Sequence, residues 1–208
     1  MSELILDLPF LGLRRHHYGA ILCDPPWNFK TRSDKGKGRS AERHYDTMDL
    51  AAIKALPVGE LAARDCVLFM WITDAYLGHA MDVLRAWGFC YKTVGFYWAK
   101  TNPVSGGKFI GMGFWTRANP EQVLMASQES GNQCLLATAG APKRVGKDVR
   151  KLIESPRREH SRKPDEIYLR IERLVDGPYL DLFARESHPG WKTWGLEQHK
   201  FDEQKVIL

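Results

Sequence analysis

Seven consecutive apolar residues, Cys66 to Ile72, leave this chain little choice of architecture. Side chains alternate between the two faces of a strand. An unbroken apolar strand therefore needs both faces covered, as inside an α/β sheet. The run is also far too short to span a bilayer. Behind it the pattern changes to a helical period. Leu77, Ala80, Met81, Leu84 and Trp87 fall on one stripe, Thr73 or Asp74 can cap the start, and Gly88 suits the end. Ala20–Cys23 reads as a short buried strand, and Phe96–Ala99 and Val123–Ala126 as two more. Pro164–Val175 reads as a helix, with proline and two acids in its first turn. Asp176-Gly177-Pro178 breaks it before a last strand, Tyr179–Phe183. Such alternation predicts a mostly parallel central sheet with helices on both faces, built as one domain over residues 1–208.

Composition adds limits. A chain of 208 residues with 44% apolar and 26% charged residues can bury a core, which excludes disordered and disulfide-miniprotein classes. Met1–Leu13 is partly apolar, but Glu3, Asp7 and Pro9 interrupt it and no basic region precedes it, so no signal peptide is expected. A cytoplasmic protein of a bacterium or phage is the expectation. Cys23, Cys66 and Cys134 sit in apolar runs as buried thiols, Cys90 has no CxxC partner, and His16, His17 and His44 lack ligand spacing. No structural metal is expected.

The net charge of +5 is unevenly spread. Residues 30–44 carry +4 and residues 143–163 carry +6, so the remainder is −5. Two concentrated basic segments suit a phosphate-facing surface, although a charged loop can equally be a solvated one.

Asp24-Pro25-Pro26-Trp27 carries the chemistry. It follows a buried strand, and ligands of open α/β sheets bind beyond the carboxyl ends of the strands. Two prolines stiffen the backbone, hold Asp24 at the strand end and are expected to leave carbonyl oxygens without local amide partners. A carboxylate and a carbonyl that each accept one N–H would orient an exocyclic amine and enrich its electron density. Such an amine is a poor nucleophile, because its lone pair is delocalised into the ring. The Trp27 ring offers a stacking wall for a base taken out of its helix. The simpler alternative is that the prolines merely end a strand and Asp24 caps a turn.

Further stretches resolve that choice through a resemblance. Tyr45-Asp46-Thr47-Met48, Phe69-Met70-Trp71-Ile72-Thr73, Trp98-Ala99-Lys100-Thr101-Asn102, His160 to Tyr168, Tyr179 to Arg185 and Trp191 to Gly195 follow in order. With the Asp-Pro-Pro-Trp motif, this series resembles the MT-A70 family of adenine-amine methyltransferases over about residues 18–198. The resemblance implies a Rossmann-like methyltransferase fold in the permuted, beta-type order and S-adenosylmethionine as methyl donor. It assigns Asp24, Pro25, Pro26 and Trp27 to catalysis. Asp24, Lys163, Arg185, Ser187, His188 and Glu197 would hold the donor, with Lys163 at its carboxylate and Glu197 at its ribose hydroxyls. Two residues depart from the family pattern: Ala184 replaces a common Gly, and Leu196 a common Asn.

The basic segments then border the same mouth. Arg32, Lys35, Lys37, Arg39, Arg43, Arg157, Arg158 and Arg162 become candidate phosphate contacts, and Tyr45 a candidate wall of the base pocket. In that resemblance residues 103–118 correspond to an inserted loop that forms a subunit interface, which implies a homodimer contact with Phe109, Phe114 and Trp115 as candidates. DNA adenine is the expected substrate, with RNA adenine as the alternative. A nucleic-acid-binding protein without catalysis and a methyltransferase of another amine are the competing classes.

Overall fold

A computed structural model describes residues 9–28, 47–111, 117, 119–128, 142–159 and 162–202. Seven strands form one sheet. They are β1 (Tyr18–Cys23), β2 (Ala62–Ile72), β3 (Phe89–Thr101), β4 (Glu121–Gln128), β5 (Leu152–Pro156), β6 (Tyr179–Leu182) and β7 (Trp191–Trp194). Three α-helices, α1 (Leu50–Ala55), α2 (Leu77–Ala86) and α3 (Glu166–Leu174), lie between strands. The order across the sheet is β5-β3-β4-β2-β1-β6-β7.

Alternation along β1 and β2 divides the core in two. Ile21, Cys23, Leu68 and Met70 face the side covered by Ile53 of α1 and Ala80, Val83 and Leu84 of α2. Ala20, Leu22, Phe69 and Trp71 face Ile167, Tyr168 and Ile171 of α3. The apolar run of β2 is buried from Cys66 to Ile72, as two-sided cover requires. Asp49 starts α1 by accepting the Ala52 N–H at 2.6 Å. The helix expected from Asp74 begins as a 3-10 turn, Asp74–Tyr76, before α2.

The sheet is mixed. β1 pairs in parallel with β2 and β6, β6 with β7, and β3 with β5, while β4 is antiparallel to both β2 and β3. The reason is the connection. A parallel pair needs a crossover of a dozen or more residues, and that crossover is usually a helix. The β3–β4 link instead turns back at the edge where β3 ends, through turns at 103–105 and a bridge between Thr101 and Lys108. The consequence is functional. Cys23 pairs with both Met70 and Leu182, and Ile72 with Gln122. The carboxyl ends of β1, β2 and β6 therefore meet the amino end of β4 at one edge. No helix among the described residues is long and apolar enough to cross a membrane.

Candidate active site

β1 stops where its donors stop. Asp24 N–H reaches Leu182 O at 3.4 Å, and Pro25 and Pro26 offer no N–H to continue the ladder. Their carbonyls are not left bare, contrary to the expectation from sequence. Pro25 O accepts the Trp27 N–H at 2.8 Å, and Pro26 O accepts the Met48 N–H at 2.9 Å. A carbonyl oxygen has two lone pairs, so one bond does not exhaust its acceptor capacity. Trp27 is a second departure. Only 4% of it is exposed, and its indole N–H points to Trp71 O at 3.4 Å. It braces the loop from inside the core and does not present a stacking face.

The Asp24 side chain, 28% exposed, meets Lys163 Nζ at 2.7 Å. Lys163 also lies 3.5 Å from Glu121, whose other partner is Lys100. Two carboxylates and two ammonium groups thus share one enclosed edge. Lys163 lies over the Trp71 ring and Lys100 over the Trp98 ring, at 4.8 Å for the latter. Burial raises the Asp24 carboxyl above its ordinary range, opposed by Lys163 and Arg185 and aided by Glu121. Burial would also raise Glu121, but Lys163 and Lys100 outweigh it and hold Glu121 below its usual value. Lys163 therefore faces both acids of the site at once. On the neighbouring strand, burial lifts Asp181 to about 8, with Asp24 and Glu186 adding to the rise. The Tyr168 hydroxyl donates to it at 2.7 Å.

The loop after β6 forms the other half of the edge. Phe183 takes a φ of 63°, turning the chain sharply, and Ala184 N–H donates to Trp194 O at 3.0 Å. A Cβ at Gly195 would come within 2.7 Å of Ala184 O, so glycine is what lets the 195–202 segment lie on this loop. Arg185 there pairs with Glu197, which also contacts Lys200. Ser187 gives both its N–H and its hydroxyl to Asp202, at 2.6 and 2.8 Å. His188 stacks on Tyr168 with ring centres 3.5 Å apart. These contacts turn Ser187 and His188 toward the C-terminal turn and α3. Leu196 is 92% exposed. Trp191 stacks on Tyr179 and donates to Glu172, which makes it part of the core.

The expected phosphate contacts divide. Arg162 is excluded by its surroundings. It is 6% exposed, bound to Glu186 through Nη2 at 3.0 Å and Nε at 3.4 Å, with Glu159 at 3.3 Å and the Phe201 ring below. Arg158 is paired with Asp165 at 2.7 Å, and exposed Arg157 covers the Phe109 ring at 4.7 Å. Arg32, Lys35, Lys37, Arg39, Arg43 and Tyr45 lie outside the described residues, as do Phe114, Trp115 and Cys134. Asp165, Glu186 and His188 bring potential ligand atoms within 4.8 Å of one another. Arg158 and Arg162 already balance the two carboxylates there.

Sequence reading gave Glu121 no role and Lys100 none beyond its place in the Trp98–Asn102 stretch, since the pairing of β3 with antiparallel β4 is what joins residues 21 apart.

Comparisons with known proteins show what the chain is similar to. The chain is 33% identical over 212 residues to the type II methyltransferase M.MunI of a Mycoplasma species, covering 92% of this chain and 82% of that one. It is 25% identical to the human N(6)-adenine-specific methyltransferase METTL4, over all of this chain and 43% of that protein. It is 31% identical to an Arabidopsis thaliana N(6)-adenosine-methyltransferase MT-A70-like protein, over 86% of this chain and 23% of that protein. The chain thus spans most of the first relative and less than half the length of the other two. The MT-A70 family model matches residues 18–197, from the first residue of β1 to the carboxylate that pairs with Arg185. With Asp24-Pro25-Pro26-Trp27 intact at the head of that span, the chain belongs to the MT-A70 family.

Proposed function

We propose that this chain methylates the exocyclic N6 amine of adenine in nucleic acid, with DNA as the substrate and S-adenosylmethionine as the donor. The observation that carries the reading is the Asp24 carboxylate held at the end of β1 against Lys163, directly before the Pro-Pro segment that ends the strand. All three reported relatives are methyltransferases by name, and two are named for N6 of adenine or adenosine. The type II methyltransferase is matched over 82% of its own length. The MT-A70-like relative is named for a ribonucleoside and is matched over a small part of its length, which favours DNA. RNA adenine stays as the alternative substrate.

The residues suit the donor by their chemistry. Lys163 offers a cation for a carboxylate, and Glu197 offers two acceptors for vicinal hydroxyls. Arg185 lines the loop between them. Ser187 and His188 would have to exchange their present partners to join. When bound, S-adenosylmethionine supplies a methyl group on a sulfonium sulfur. Asp24 then does most of the work. It would accept one N6–H, orient the amine lone pair and take up the amine proton as the C–N bond forms and the sulfonium S–CH3 bond breaks, with the thioether S-adenosylhomocysteine as leaving group. The second N6–H falls to a carbonyl of the Pro-Pro segment. Lys163 favours the carboxylate form of Asp24 that this role needs, opposing the rise that burial imposes. The sheet order, with β4 antiparallel next to β2, is read as a Rossmann-like methyltransferase sheet in the permuted order, and the chain as one catalytic domain.

Homodimerisation through residues 103–118 and a cytoplasmic bacterial setting complete the proposal. Light scattering at micromolar protein tests the first. The reaction is tested with methyl-labelled S-adenosylmethionine and unmethylated, PCR-amplified genomic DNA or transcribed RNA. Label in DNA is the expected result. Label in RNA alone would move the substrate to the alternative. Label in neither, with donor binding intact, would overturn the proposal.

A further inference from the structure

With Trp27 buried, the aromatic surface beside the catalytic loop comes from elsewhere. Tyr76 closes the 3-10 turn that follows β2, at the same sheet edge as Asp24. Its hydroxyl donates to the Asn28 carbonyl at 2.5 Å, directly after Asp24-Pro25-Pro26-Trp27. Its ring lies 5.7 Å from the Trp27 ring and 5.6 Å from His79. Tyr76 is half-buried, His79 is exposed and Leu77 is 39% exposed, so this turn presents aromatic and apolar surface to solvent where the loop leaves the core. A second tie, Gln122 to Asp74 at 2.5 Å, fixes the turn to β4 and so to the strand that carries Glu121.

We propose that Tyr76 is the aromatic wall of the target-base pocket and, through its hydroxyl, the positioning residue of the Asp24–Trp27 loop. The inference rests on the methyl-transfer reading for its substrate and assigns to Tyr76 the stacking role that the sequence suggested for Trp27. A tyrosine suits both jobs. Its ring stacks on any base, and its hydroxyl supplies a donor to the Asn28 carbonyl. The hydroxyl holds Asn28 and thereby limits how far Asp24 can swing from the amine.

Two variants separate the roles, since Tyr76→Phe removes only the tether and Tyr76→Ala removes tether and wall. One readout is methyl transfer to unmethylated, PCR-amplified genomic DNA. The other is fluorescence of a random-sequence oligonucleotide pool with 2-aminopurine in place of adenine, which is quenched on stacking. Tyr76→Phe is expected to lower kcat about threefold to tenfold, the worth of one hydrogen bond, with the Kd for S-adenosylmethionine and the quenching unchanged. Tyr76→Ala is expected to lose at least about half of the quenching as well and to raise KM for DNA. Thermal melting checks that both variants fold. Wild-type kcat in Tyr76→Phe, equal quenching by wild type and Tyr76→Ala, or no quenching by wild type would overturn the proposal. No methyl transfer by the wild type would count against the reaction, and the quenching comparison would still decide on Tyr76.

Discussion

Replacing Lys163 by methionine removes the cation that stands 2.7 Å from Asp24 and 3.5 Å from Glu121 while keeping most of the side-chain volume. What remains is a pair of acids in an enclosed site, with Lys100 on Glu121 alone. Two unit charges about 4 Å apart interact by about 4 kcal/mol at an effective dielectric constant near 20. Asp24 is partly open to water, with 28% of its side chain exposed, so a reasonable discount leaves about 1.5–3 kcal/mol of lost support for its carboxylate form. The sign follows from the mechanism. Lys163 opposes the rise that burial imposes on Asp24, so its loss makes Asp24 hold its proton to higher pH. A protonated Asp24 cannot take up the amine proton. At saturating donor and DNA, the acid limb of the rate profile should therefore move to higher pH. That support corresponds to a move of about one to two pH units, and the ratio of activity at pH 9 to that at pH 6 should rise relative to wild type. Initial rates of label incorporation across this range measure it. A uniform loss with the acid limb unmoved would refute the argument and leave Lys163 with donor binding alone.

Asp181 gives a stability test with the opposite slope. Folded, it keeps its proton up to about pH 8, while the unfolded chain loses it near about pH 4. The unfolded state thus binds fewer protons across that window, and stability falls as pH rises through it. Asp181→Asn has no proton to lose and still accepts from Tyr168. Its Tm should gain on wild type steadily from pH 5 to pH 8, and a constant difference would contradict the assignment. Arg162→Met should destabilise the fold by about 3–5 kcal/mol, because it strands Glu186 in the interior, yet leave the salt dependence of DNA binding unchanged. Exposed Arg157, replaced by methionine, should instead lower the salt slope by about one with little change in Tm. A flatter salt slope in Arg162→Met would return it to the phosphate contacts.

Local chemistry made part of this structure legible from sequence. The apolar run of β2 could only be a doubly covered strand, and Pro-Pro after an apolar run could only end β1 with Asp24 at its tip. What depended on distant pairing was hidden. Glu121 reaches Asp24's partner because β4 runs backward, and no periodicity in residues 121–128 states a direction. Arg162 was counted with the basic segments by charge alone. Its burial follows from the loop after β6, where Glu186 and Phe201 close around it. Trp27 suggested a stacking wall by type, but its ring is buried with the indole N–H directed to Trp71 O, a contact 44 residues away in sequence. Tyr76 lay in a segment readable only as a helix start, and its bond to Asn28 spans 48 residues.

The central claim is that Asp24 activates the N6 amine of adenine. Its most direct test is mass spectrometry of nucleosides from DNA treated with wild type or Asp24→Asn at matched binding. The account expects N6-methyladenine as the only new base with wild type. The amide keeps the shape but cannot take up the proton, so Asp24→Asn should make it at least about a hundredfold more slowly. N6-methyladenine formed at the wild-type rate by Asp24→Asn, or methylation at another atom, would contradict the account.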